Sequence, residues 1–130
     1  MSQAYLLDTH ALLWWLDDSS ELSASAHRTI TDVDHRIAVS AASLWEIAIK
    51  ARRKRLSGVE PYLADFENYH RSWGFETLPM TASHGVRAGL LVWDHTDPFD
   101  RMLVAQSQMT GMPLVTRDTT IHAFHPSCVW

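Results

Sequence analysis

Four acidic side chains stand among apolar neighbours, where carboxylates are unusual. Asp8 ends the run Ala4-Tyr-Leu-Leu7, and Asp118 lies two residues beyond Pro113-Leu-Val-Thr116. Glu46 interrupts Leu44-Trp-Glu-Ile-Ala-Ile49, a run otherwise fit for burial on most sides. Asp100 falls on one helical face with Leu103 and Val104. Each has a structural explanation. Asp8 and Asp118 suit helix N-caps. Glu46 suits a capping box with Ser43 or an ion pair with Lys50 one turn on. Asp100 suits a first helical turn, where the macrodipole favours a carboxylate. Asp97, before Pro98, reads as that helix's cap. The alternative is chemical. Four carboxylates in one cleft repel one another unless some stay protonated or cations intervene. Oxygen-only ligands select hard divalent ions such as Mg2+ or Mn2+. One or two such ions on a phosphodiester activate water and stabilise the leaving oxygen.

The elements that must position these acids follow from periodicity. Short apolar runs at Ala4–Leu7, Arg36–Ser40, Phe75–Leu78 and Pro113–Thr116 read as strands, with a last edge strand through Cys128-Val-Trp130. Helical patterns cover Thr9–Leu16, Ser23–Ile30, Ala41 to about Arg55, Pro61–Trp73, Thr81–Leu91 and Phe99–Thr110. Gly74 and Gly111 are placed as helix stops. Strands alternating with helices predict an α/β fold with a mostly parallel sheet of four or five strands. Sites in such sheets form beyond the strands' carboxyl ends, where strand order reverses. Asp8 and Asp118 sit at such ends.

The chain's 130 residues suit one domain, residues 1–130, with no linker, repeat or low-complexity segment. With 46% hydrophobic and 20% charged residues, its composition argues against disorder. One cysteine, Cys128, excludes an internal disulfide and any multi-cysteine zinc site. The net charge of −4 excludes a generally basic nucleic-acid binder, but the distribution is uneven. Lys50, Arg52, Arg53, Lys54 and Arg55 supply five of eleven basic side chains. This run shares a helix with Glu46, so it either holds a nucleic-acid backbone against the acids or is a solvated helix end.

Four segments then match a known pattern in order. Leu7-Asp8-Thr9-His10-Ala11-Leu12-Leu13-Trp14, Ser43-Leu44-Trp45-Glu46-Ile47-Ala48-Ile49-Lys50, Asp97-Pro98-Phe99-Asp100-Arg101-Met102-Leu103-Val104-Ala105-Gln106 and Val115-Thr116-Arg117-Asp118 resemble the motifs of PIN-domain ribonucleases. The likeness is strongest to the VapC-type toxins of toxin–antitoxin pairs. It implies a three-layer α/β/α sandwich, a metal-dependent endoribonuclease using Mg2+ or Mn2+, and inhibition by a cognate antitoxin. It puts the catalytic, metal-holding acids at Asp8, Glu46, Asp100 and Asp118. Thr9, Thr116 and Asp97 stand behind them, with Asp97 either a supporting group or only a cap.

Other features are weaker. His122 and His125 lack the further ligands of a zinc pattern. His10 either touches substrate or is a surface residue. No Gly-x-Ser-x-Gly elbow or phosphate-binding glycine loop occurs. An aspartyl-phosphate phosphohydrolase with Asp8 as nucleophile is an alternative, but the second acid expected two residues later is His10. A non-catalytic binding domain for nucleic acid or protein is the other. Leu13, Trp14 and Trp15 give the first helix more apolar surface than one side can bury. They are expected to form a partner surface for an antitoxin segment and a homodimer. The longest early apolar run, Ala11–Leu16, is far short of a membrane span, and the chain start lacks the basic segment of a signal peptide. A cytoplasmic location is expected.

Overall fold

Among the described residues, five short strands, rich in branched and aliphatic residues, pair in parallel throughout. They are β1 (Ala4–Leu7), β2 (Arg36–Ser40), β3 (Phe75–Leu78), β4 (Leu114–Val115) and β5 (Cys128–Val129), in the spatial order β3-β2-β1-β4-β5. The computed structural model describes residues 3–130, so the first two residues of the expected 1–130 unit lie outside it. Strand side chains alternate between two faces. Leu7, Ile37, Val39 and Val115 pack with one set of helices, whereas Leu6, Ala38 and Leu114 pack with another. Two cores on opposite faces of one sheet make the expected three-layer α/β sandwich.

The first core holds α1 (Thr9–Leu16), α2 (Ala24–Thr31) and α4 (Glu60–Ala64), with Ile47 of α3 (Ala41–Arg52). α5 (Phe66–Trp73) packs on it through Phe66 and Trp73. The second core holds Leu103 and Val104 of α7 (Pro98–Thr110) and Ile121 of α8 (Thr119–Phe124), while α6 (Ala82–Leu90) lies against α7. Burying the three side chains of the second core's helices leaves each at most 1% exposed. At about 25 cal/mol per Å² of apolar surface, that packing is the main force fixing α7, and therefore Asp100, against the sheet.

Several boundaries differ from the sequence reading, each for a local reason. The helix expected over Pro61–Trp73 is two helices, because Asp65 adopts φ −145°, ψ 35° and breaks the ladder. α3 stops at Arg52 rather than Arg55, since Lys54 takes a left-handed φ of 58°. α8 was not expected, being only six residues long. Gly74 and Gly111 do close α5 and α7, at φ 72° and 75°.

The apolar excess expected on α1 is used internally. Leu13 is buried, and half-buried Trp14 and Trp15 pack against the first core. Adjacent residues point about 100° apart on a helix, so the two indoles reach different aromatic neighbours. Trp15 meets Trp73 and Phe75, and Trp14 meets Trp130. The large exposed apolar side chains lie elsewhere, with Val86, Leu90 and Val92 the main group. No helix among the described residues is long and apolar enough to cross a membrane.

Candidate active site

Strand order reverses between β1 and β4, and the residues leaving those two strands build the site. Asp8 follows β1 and caps α1, its Oδ1 accepting the Ala11 N–H at 2.7 Å. Asp118 follows β4 and caps α8, its Oδ1 accepting from the Thr120 and Ile121 N–H groups at 2.8 and 3.2 Å. Capping therefore does not compete with the chemical reading. It uses one oxygen of each carboxylate, fixes the side chain, and brings the positive end of a helix dipole to it. Between them stands buried Thr116, whose hydroxyl accepts the Asp118 N–H at 3.0 Å and hydrogen-bonds Asp8.

Asp8 is 5% exposed. Burial pushes its carboxyl up from 3.8 to about 6, hydrogen bonds from Thr116 and Ala11 and the nearby His10 oppose that rise, and the charge of Asp100 adds to it. Asp100 is also raised, first by burial and further by Asp97 and Asp118, while His95 opposes the shift. Asp100 thus links the two strand-end acids, its charge acting on Asp8 and the charge of Asp118 acting on it. Asp97 caps α7, accepting from Phe99 and Asp100 N–H at 2.8 and 3.1 Å, so it orients the backbone that carries Asp100.

Glu46 has a cationic partner of its own. Its carboxylate pairs with Lys50 at 2.9 Å, the i, i+4 pairing allowed by the sequence. Ser40, not Ser43, caps α3. The run around Glu46 is also less buried than its composition suggests, since Trp45 is 56% exposed and Ala48 is exposed. α3 is nevertheless tied to the site's surroundings. Thr9 donates to the Ser43 hydroxyl at 3.0 Å, and Trp45 meets Phe99 edge-on with centroids 5.2 Å apart. Lys50 is held by Glu46, while Arg52, Arg53, Lys54 and Arg55 are exposed beyond it.

His95 was not singled out by sequence. Its Nε2 lies 2.7 Å from Asp100 Oδ2, so Asp100 is held by a neighbour that no helical spacing reveals, because the pair spans the start of α7. Every acid thus has a local partner. Among the described residues, no three carboxylate, imidazole or thiol groups converge as a ready-made cage. The donor chemistry still suits a hard divalent ion. The charge of Asp100 reaches Asp8 and that of Asp118 reaches Asp100, and among the described residues no lysine or arginine pairs with buried Asp8. Asp8, Asp100 and Asp118 would hold the ion, and Glu46 would join them on leaving Lys50. His122 and His125 instead bond the Thr116 carbonyl at 2.6 Å and the Ser107 hydroxyl at 2.7 Å.

A recess of about 190 Å³ opens beside the acids, lined by Asp8, His10, Trp14, Arg117 and Asp118. Arg117 lies over the Trp14 indole, its guanidinium carbon 4.4 Å from the ring centroid, and also pairs with Glu21. Arg117 was passed over in the sequence because its partner ring is far away along the chain.

The PIN domain family model matches residues 5–124, and the chain belongs to that family. No curated protein sequence matches it. Among solved structures, a chain of a toxin–antitoxin complex from Klebsiella pneumoniae is similar with TM-score 0.69 at 18% identity, over 97% of this chain and 96% of that one. A chain of VapBC2 from Rickettsia felis, bound to a DNA fragment from their promoter, is similar with TM-score 0.63 at 13% identity, over 98% and 96%. PAE2754 from Pyrobaculum aerophilum is similar with TM-score 0.55 at 20% identity, over 99% and 90%.

Proposed function

We propose that this PIN-domain protein is a divalent-metal-dependent endoribonuclease and the toxin of a toxin–antitoxin pair. The observation that carries the reading is buried Asp8, lifted to about 6 at the strand-order reversal, within reach of the charge of Asp100. Such a carboxylate is costly unless a proton or a cation joins it. Bound Mg2+ or Mn2+ supplies the Lewis acidity that makes a water nucleophilic and offsets charge on the phosphodiester. Asp8, Asp100 and Asp118 would hold that ion, and Glu46 of α3 would be a further ligand if it exchanged Lys50 for the ion. Asp97 and Thr116 orient the carboxylates, and Thr9 ties α1 to α3. The exposed cations from Arg52 to Arg55, with Lys50 once Glu46 leaves it, draw the RNA backbone toward an otherwise acidic body.

The toxin assignment rests on the resemblance of the motifs and on neighbours described as toxin–antitoxin assemblies. It brings a cognate antitoxin, a homodimer and a cytoplasmic setting into the reading. No observation favours the phosphohydrolase alternative, for which His10 stands where a second acid is wanted.

The test is cleavage of 5′-labelled RNA by the purified protein. Cleavage with Mg2+ or Mn2+, its loss in EDTA, and a fall of at least about 100-fold in Asp8→Asn, roughly 2.7 kcal/mol of barrier, are expected. Equal cleavage by Asp8→Asn would remove the carboxylate from the chemistry.

A further inference from the structure

Beside Asp8 and Asp118 the recess is lined by His10, Trp14 and Arg117. These three carry flat groups. The His10 imidazole stacks on the Trp14 indole with centroids 5.5 Å apart and planes inclined by 28°. Arg117 lies against the same indole. Trp14 itself is half-buried, packed on the first core and meeting Trp130 with centroids 5.7 Å apart. His10 and Arg117 are exposed, so each turns part of its surface to solvent while resting on a rigid ring.

We propose that His10, Trp14 and Arg117 form a nucleobase subsite, stacking one base of the RNA strand beside the phosphate engaged at Asp8 and Asp118. The proposal rests on the endoribonuclease reading and adds a subsite to it. Unpaired bases are recognised on aromatic rings and arginine planes, which offer large flat contact at small entropic cost. Three features favour a base over other occupants. The recess of about 190 Å³ is small and lined by five residues, three of them planar, which suits one flat ring. Arg117 already has a carboxylate partner in Glu21, so its charge is partly matched while its plane stays available. β1 and β4, whose ends frame the recess, are both paired on either side, so no open sheet edge invites a peptide strand.

The test uses a fluorescein-labelled single-stranded RNA of eight nucleotides and a series in which one position at a time is abasic. Binding is read by anisotropy in Ca2+, another oxygen-seeking cation, and cleavage is read separately in Mn2+. For the native protein, removing the base at one position should weaken binding by at least about 10-fold, as loss of a stacked base does. In His10→Ala and Arg117→Gln, both at exposed positions, that penalty should shrink to under about 3-fold, while penalties elsewhere stay as in the native protein. A flat abasic profile, an unchanged penalty in both variants, or no RNA binding at all would overturn the subsite. The first of these is also the result expected if the recess serves a protein partner. Cleavage with a flat profile would leave the nuclease reading intact and sink the subsite alone. A position-specific penalty with no cleavage in Mn2+ would support the subsite and count against the nuclease.

Discussion

Burying the Asp8 carboxylate at the end of β1 sets up a conflict that a proton or a cation relieves. Its folded-state pKa of about 6 lies above the ordinary 3.8, so the unfolded chain ionises first as pH rises. Below about pH 4 both states are protonated and the group is neutral to stability. Between about 4 and 6 the metal-free protein loses stability, and the loss persists at higher pH. The rise from 3.8 to about 6 corresponds to about 3 kcal/mol. Asp8→Asn keeps the oxygen that caps α1 and removes the charge. Urea unfolding in EDTA at pH 7.5 should therefore find Asp8→Asn more stable than the native protein by about 1–3 kcal/mol, with the gap closing near pH 4. A less stable Asp8→Asn at pH 7.5 would contradict the burial argument. The positions of Asp8 and Asp118 at strand ends were legible because Asp8 closes one apolar run and Asp118 lies two residues beyond another. Arg117 and His95 were not, because a cation over a distant indole and an imidazole across a helix start leave no periodic trace.

At the scale of elements, the acids are placed by helix ends more than by helix faces. Asp97 caps α7 with two hydrogen bonds, one of them to the backbone of Asp100. Asp97→Ala should cost about 1 kcal/mol of stability, typical of a lost cap. It should also raise the Mn2+ concentration needed for cleavage, with stability read by denaturant and the metal requirement by titration; an unchanged metal requirement would make Asp97 a cap only. The end of α3 makes a different claim. Arg52→Glu with Arg53→Glu should weaken RNA binding and flatten its dependence on salt by roughly the number of phosphate contacts removed. An unchanged slope would reduce the run to a solvated helix end. Strands and long helices were readable from hydrophobic period and glycine stops. The break at Asp65 was not, because Asn68 and Tyr69 both bond the Asp65 carbonyl and start a new helix there, while the apolar spacing continues across it. Short α8 was hidden because it offers a single buried side chain, Ile121.

At the scale of the molecule, the topology brings distant residues together. Asp8 and Asp118 lie at opposite ends of the sequence, yet β1 and β4 are neighbours in the sheet. Alternating strands and helices made the parallel sheet legible, and the strand-end rule located the acidic edge. Which acids share their charge was not legible. The spacing of Glu46 allowed both a place among the acids and a pair with Lys50, and the pair with Lys50 is what forms. The central claim is that the sheet-edge carboxylates bind one kind of ion together. Its most direct measurement is Mn2+ affinity by electron paramagnetic resonance at pH 7.5 for the native protein, Asp8→Asn and Asp100→Asn. The account predicts saturable binding to the native protein and at least about 10-fold weaker binding to each variant, since removing one carboxylate removes both a ligand and a charge. Equal affinity in all three proteins, or no saturable binding to the native one, would contradict it.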